Sequence, residues 1–420
     1  MKLYNLNLQL FAGDYQTVSN PNVTTQDSLS PEMKTYYDMT LIDEAGPQLV
    51  HDQFGQKRNI PAHGGKIIEF RKFAPLNKAT TPLTEGVTPE GMTLSVSSDT
   101  ATVAQYGAYI TISDVLELTA LDNTILETTK LIGKQAGLTL DTITRNVLQA
   151  GTNVSYASKR SGNSVTEVTQ RADLDETATL NVDEVFKIVT KLRSVNAPTI
   201  NGDYVGIIHP HVAYDLMRDP EWIDAHKYAT PDNIYNGEIG KIGGVRFVQT
   251  SEAKILGPAY KLGSSVYLTV SSAVTSSTTV NVSEALTADE AAALAGKKIH
   301  VEGETTELTI SSATSGVAGS AYLTLSAAAT IAKDKKLYGG RPVYGCLFIA
   351  DGAYGTTEIN GGGLRTIIKQ KGSAGTADPL DQRSTIGWSA IKTAKILIPD
   401  YLVRFECCSK YGKAESVSEN

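Results

Sequence analysis

The chain has 420 residues, 41% of them hydrophobic and 20% charged, with a formal net charge of −7. That length exceeds one ordinary core and calls for more than one domain, while the mild acidity argues against a general nucleic-acid binder, which shows a basic excess or stripe. Three cysteines, Cys346, Cys407 and Cys408, are too few and too oddly placed for a disulfide framework and read as small buried residues in a reducing compartment; no apolar run is long enough to span a bilayer, so no membrane partner is expected.

Residues 1–30 read as an N-terminal arm. Met1–Ala12 alternates apolar residues with Asn5, Asn7 and Gln9, unlike an uninterrupted secretory segment. Gly13–Ser30 is polar and has no period. In residues 31–63, Ser30 as N-cap and Pro31 at the first position predict a helix with Tyr36, Tyr37, Met39, Leu41 and Ile42 as its stripe, ended by Gly46-Pro47.

Residues 64–112 alternate. Lys66–Phe73 places Ile68 and Phe70 on one face and Ile67, Glu69 and Arg71 on the other. Pro75, Pro82, Gly86, Pro89 and Gly91 mark a loop, and alternation resumes at Met92–Val96 and runs through Tyr106–Ile112. This predicts one long two-stranded hairpin, too polar for a core of its own. A lone hairpin is marginal in water, so it must lie on a neighbour.

Asp114 and Glu117 have capping-box spacing, and Asp122-Asn123 offers a second cap. Ile125, Ile132, Ala136, Ile143 and Val147 then recur along one face of a helix ending near Gly151, about 40 Å long. Two stacked helices split at Gly133 or Gly137 are the alternative. Asp141 and Arg145 are placed to pair on the opposite side.

Gly151–Asp175 reads as a loop. Asn181 caps a helix carrying Val185, Ile188, Val189 and Leu192; Asp203–Ile208 reads as a strand, Pro210 opens another helix, and Gly237–Gly244 links to a strand at Val245–Val248. This alternation describes a mixed α/β region. From Ser264 to Tyr338 roughly a third of the residues are Ser or Thr, with no Pro and no Cys. Short β patterns recur around Val266–Val270, Thr279–Val282, Lys298–Val301, Glu307–Ile310 and Ala321–Leu325, with a helical turn or two at Ala288–Leu294. They predict a small β sandwich or barrel inserted between Gly263 and Gly339-Gly340. Strands at Val343–Ala350 and Leu364–Lys369 follow, and Lys395–Ile398 with Tyr401–Phe405 is predicted as a closing pair around Pro399-Asp400.

No chemistry emerges. His209-Pro210-His211 lacks further ligands for a metal. Gly237–Ile242 lacks the spacing and hydroxyl of a phosphate loop, and Gly361–Gly363 reads as a turn. No nucleophile elbow or zinc-helix motif is found. No catalytic residue, cofactor or metal is expected.

Four segments in order resemble the major capsid proteins of tailed bacteriophages, whose fold is shared with herpesvirus capsid floors. They are Leu8–Ala12; Leu83–Pro89 followed by Tyr106-Gly107 and Ser113-Asp114; Leu148–Thr152; and Asp378–Trp388. The resemblance covers nearly everything except 264–338. It implies an α+β capsid fold. The hairpin, 64–112, would be the extended loop. Residues 113–180, completed by 376–420, would form the peripheral domain with its long spine helix. Residues 181–263 and 339–375 would form the axial domain, and 264–338 an inserted small all-β domain that many relatives lack. The implied function is self-assembly into an icosahedral shell of hexamers and pentamers around double-stranded DNA, without tight sequence-specific binding. The short arm implies a separate scaffolding protein; a portal and a decoration protein are further implied partners. Arg71, Lys72, Glu85 and Arg383 are expected to make contacts between subunits. A surface adhesin binding glycan through the β insertion, and an uncharacterised hydrolase, are the competing readings. The first is opposed by the missing export signal, the second by the motif search.

Overall fold

The computed structural model describes residues 50–411, apart from 62–64, 74–75, 77, 81, 84, 89–90, 120–123, 163, 227–237, 303–306, 360–363, 370 and 374–377. The arm, the helix expected after Ser30, the Asp122-Asn123 cap and the Gly361–Gly363 turn lie outside the described residues. The chain divides into two compact units. The described part of the first is 104–139 and 358–392; that of the second is 50–103, 140–357 and 393–411.

Strand β1 is Gln56–Ile60. β2 (Ile67–Phe73) and β3 (Val96–Thr102) form an antiparallel ribbon, in register from Ile67↔Thr102 to Phe73↔Val96. Its faces are as the alternation predicts: Phe70 is 4% exposed and Ile67 62%. The ribbon is shorter than expected. Ala104–Ser113 is a separate strand, β4, counted in the first unit, and it pairs with residues 383–392 instead of β2. Alternation gives a strand and its faces but not its partner, and here the partner is far along the chain.

Helix α1 (Asp114–Thr119) is capped by Ser113, whose Oγ accepts from the Leu116 amide at 3.3 Å, so the cap lies one residue before the expected Asp114. Helix α2 runs unbroken over Thr124–Gln149, which settles against two stacked helices. At about 1.5 Å per residue it spans ~39 Å. Gly133 and Gly137 are carried at the modest cost of an isolated glycine in a long helix.

The segment after α2 is not a plain loop. It holds β5 (Val154–Tyr156), β6 (Lys159–Ser161) and β7 (Ser164–Thr166), the last two forming a small ribbon. Strands this short carry too little pattern to read. Helix α3 (Val182–Ser194) begins where Asn181 Oδ1 accepts from the Glu184 amide, as expected. β8 (Tyr204–Ile208) leads to α4 (Pro210–Met217) and α5 (Pro220–His226). The expected turn-rich link contains β9 (Glu238–Ile242), which pairs with β10 (Val245–Gln249) around Gly243-Gly244. β11 is Ile255–Tyr260.

The Ser/Thr-rich segment supplies β12 (Tyr267–Thr269), β13 (Val274–Asn281), α6 (Ala288–Leu294), β14 (Lys298–Val301), β15 (Glu307–Thr314) and β16 (Tyr322–Ile331). β17 (Lys336–Ile349) carries the chain out of it. β18 (Tyr354–Ile359), β19 (Arg365–Lys369), β20 (Arg383–Ile396) and β21 (Leu402–Cys407) complete the order. The expected closing pair does not form. β21 pairs antiparallel with β17 and parallel with β5, because a 3₁₀ turn at Pro399–Tyr401 redirects the chain into another sheet.

In the first unit, β20 lies between β4 and β19. In the second, a 12-stranded sheet runs β13-β16-β15-β14-β17-β8-β10-β9, with β11, β12 and β21 joined to β17 and β5 to β21. β8 is buried at all five positions because both of its faces are covered. Tyr204 and Ile208 pack with Val185, Ile188 and Leu192 of α3 and with Phe247, Phe348 and Phe405. Val205 and Ile207 face the other way, towards Leu148 of α2, Val50 and Leu347.

The Ser/Thr-rich strands hold a core of their own, including Leu268, Val280, Val282, Ile299, Ile310, Leu323 and Leu337. Their pairings form a ring, β12-β17-β14-β15-β16-β13, closed by the Val270↔Val282 bridge and by Ser271 N donating to Asn281 O at 2.9 Å. This is a small barrel, and closure removes the free edges that a flat sheet would leave. Leu294 of α6 packs into it.

Candidate functional site

The ribbon and its loop carry a row of large apolar side chains that are exposed among the described residues. Ile67, Leu76, Leu83, Val87, Met92, Leu94 and Val96 are all exposed, Leu83 by 77% and Val87 by 63%. Scattered surface apolar residues need no explanation, but seven gathered on one short ribbon and its loop make this element the candidate interaction surface. Within the second unit, β1, β2, β3 and residues 397–398 enclose a cleft of about 250 Å³. Phe70, Leu397 and Ile398 line it beside Arg58, Arg71, Lys72 and Asp99. Gly355 packs so closely on Phe70 that a Cβ there would lie 2.8 Å from the ring, which seats the ribbon against β18.

Of the four residues expected at subunit contacts, Lys72 lies at this cleft on the Phe70 face of β2, and Arg71 borders it from the opposite face. Arg71 reaches Glu69 of its own strand at 3.6 Å, both side chains being well exposed. Glu85 is exposed on the loop, beside the Gly86 turn. Arg383 stands apart, at the start of β20 in the first unit. Its amide donates to Asp378 Oδ2 at 2.9 Å and its guanidinium lies 3.9 Å from the same carboxylate. Arg58 was not expected, and no local pattern points to it, since the cleft joins segments remote in sequence.

The Asp378–Trp388 segment is a structural tie. Gln382 O accepts from the Asp114 amide at 2.9 Å, and Trp388 Nε1 donates to Gln135 of α2 at 3.0 Å. Gly107 is required by close approach: a Cβ there would lie 2.7 Å from Trp388 O.

The buried side of the end of α2 is polar. His51 donates its amide to Asp141 Oδ1 at 2.8 Å, and its Nδ1 lies 2.7 Å from Oδ2. Tyr354 OH donates to His51 O at 2.6 Å. Arg145 Nη1 donates to Glu252 O at 2.7 Å, and Gln149 Nε2 to Gly345 O at 2.7 Å. Asp141 and Arg145 are therefore not the expected surface pair: each is about 2% exposed and is held by a different partner. The apolar stripe fixes the helix but does not reveal that its flank is buried too. Burial pulls the Arg145 guanidinium below its ordinary range, against the opposing pull of Glu252 and Asp141.

His209 caps α4, its Nδ1 accepting from the His211 amide, and His211 Nδ1 lies 2.7 Å from Tyr344 OH. Burial, with His211 beside it, lowers the His209 imidazole to about 4. Among the described residues no cluster of three His, Cys, Asp or Glu side chains could hold a metal ion. The three cysteines are buried and free.

Two units, a long helix, an exposed apolar ribbon and a multi-stranded sheet make up this α+β fold. Solved structures agree. The capsid structure of the cyanophage P-SCSP1u superposes with a TM-score of 0.53 at 13% identity, covering 95% of this chain and 100% of that one. The capsid of Ralstonia phage GP4 gives 0.50 at 12% identity, covering 94% and 96%. The comparison with curated proteins returned no match. The sequence profile of the family described as "Phage capsid protein" matches residues 33–293, more than half of the chain, and the chain belongs to that family. It is a major capsid protein, a structural subunit of the virion shell.

Proposed function

We propose that the ribbon of residues 64–102 lies across a second copy of the chain, and that repetition of this contact closes an icosahedral shell of hexamers and pentamers around double-stranded DNA. The row of uncovered apolar side chains from Ile67 to Val96 carries this reading. Among the described residues nothing covers this row, and the partner most abundant during shell assembly is another copy. Heterologous contacts of this kind form closed rings when the rotation between copies closes.

Assembly takes place in the host cytoplasm with a separate scaffolding protein, and a portal and a decoration protein complete the particle. Residues 113–180 with 376–420 serve as the peripheral domain, 181–263 with 339–375 as the axial domain, and 264–338 as an inserted barrel projecting outward. A net charge of −7 suits a container that must release its DNA, since sparse phosphate contacts avoid tight, salt-sensitive binding. Deleting Ala79–Gly91 tests the ribbon. The expected product is a folded subunit, with an unchanged circular dichroism spectrum, that sediments without forming shells. Normal particles would refute the reading.

A further inference from the structure

The cleft beside Phe70 lies at the base of the ribbon. Arg58 and Lys72 stand there with one carboxylate, Asp99, which faces Phe70 across the ribbon, while Arg71 borders the cleft from the opposite face of β2. Arg58 lies over the Phe70 ring at 5.8 Å, and among the described residues neither it nor Lys72 has an ion-pair partner. Arg71 has only the loose contact with Glu69. Leu397 and Ile398 add an apolar lining beside the buried Phe70. Such a site fits a carboxylate flanked by apolar side chains.

The same chain carries that ligand. In Leu83-Thr84-Glu85-Gly86-Val87, an exposed glutamate stands between two of the most exposed apolar residues of the molecule, at a turn made by Gly86 with φ of 79°. We propose that in the shell the loop 83–87 of one copy seats in the cleft of the next. Its Glu85 carboxylate meets Arg58 and Lys72, and Leu83 and Val87 lie on Leu397 and Ile398. The inference rests on the ribbon's role proposed above and names its landing site. Loop and cleft are different patches, so the contact is head-to-tail and propagates from copy to copy. A DNA phosphate is the competing anion. The apolar lining disfavours it, because a phosphate has no apolar flank to place there.

The test is charge exchange in the full-length chain. Shell yield is read by sedimentation and electron microscopy, and subunit folding by thermal melting. Glu85→Arg alone, and Arg58→Glu with Lys72→Glu, should each lower shell yield by about tenfold or more, because like charges then face each other across the contact. The combined variant should recover most of the yield. All sites are exposed, so melting should not change. A combined variant no better than its parents, with folding intact, overturns the landing site. The Ala79–Gly91 deletion distinguishes the failures: shells lost on deletion but not rescued by exchange leave the ribbon's role standing and refute only the cleft. Cleft-reversed subunits that build shells at normal yield but lose their DNA would assign the cleft to phosphate and overturn the proposal. As a second measurement, Glu85→Cys with Arg58→Cys should give a ladder of covalent multimers from oxidised particles; monomer alone counts against it.

Discussion

Asp141 illustrates how a helix end can be held by polar groups at a buried face. A carboxylate and a guanidinium four residues apart normally pair at a helix surface. Here Asp141 takes the amide and the imidazole of His51, while Arg145 reaches Glu252. Asp141→Ala leaves both His51 donors unpaired inside the protein. An unsatisfied buried group costs about 1–3 kcal/mol, so subunit stability should fall by roughly 2–4 kcal/mol in a denaturant titration. Asp99→Ala, at an exposed site, should change it by less than about 0.5 kcal/mol. Equal effects would mean that the His51 clasp contributes nothing. Glu307 gives a pH-dependent counterpart at the barrel. The hydrogen bond from His300, with those from Lys298, draws its carboxyl down to about 2, although burial opposes the shift. A carboxyl lowered on folding stabilises above its unfolded value and loses that contribution as pH falls through the folded one. The melting temperature should therefore drop between pH 4.5 and 2, and Glu307→Gln should flatten that part of the profile. An unchanged slope would assign the acid sensitivity to other groups.

At the scale of elements, the ribbon and α2 show what pattern can and cannot reveal. The period of Ile132 and Ala136 is enough to give one long helix, and both residues are buried. Ile143 and Val147 continue the period but are only half-buried, because Asp141, Thr144 and Arg145 take the inner side. Polar residues buried by distant partners leave no local trace. The same limit applies to β4 and β21, whose strand character was legible while their partners were not. For the cleft, Arg71 and Lys72 were legible as charges on an alternating strand, whereas Arg58 and Leu397 join them only in three dimensions. The exposed loop offers a direct test of what the ribbon is for. Leu83→Ser with Val87→Ser removes apolar surface that the isolated subunit leaves in water. Surface changes of this kind alter stability by no more than about 0.5 kcal/mol, so melting should hold while shell yield collapses. A parallel loss of both would mean that these residues support the subunit fold instead.

At the scale of the whole molecule, the barrel's place in the chain decides whether it can be removed. β11 leads into it and β17 leads out, and the two are paired at Tyr260↔Gly339. The chain thus enters and leaves at adjacent points, as a tolerated insertion at a surface loop requires. The barrel core is distinct from the core around Phe247, Phe348 and Phe405, although Tyr260 packs against both. β17 is the difficulty: a single strand of 14 residues belongs to the ring at one end and to the β8–β21 sheet at the other. Excision of Ser264–Tyr338 with Gly263 joined to Gly339 keeps the β11–β17 ladder from Tyr260 onward. Leu262, wholly buried in the barrel, would then be exposed and should be changed to Ser in the same variant. Glu176 keeps Arg341 paired after Glu307 is lost. The shortened chain should therefore stay soluble and assemble, with density missing from the outer surface of its particles in cryo-electron microscopy. Insolubility would place the barrel within the folding core of the subunit, and density missing from the inner surface would reverse its proposed orientation.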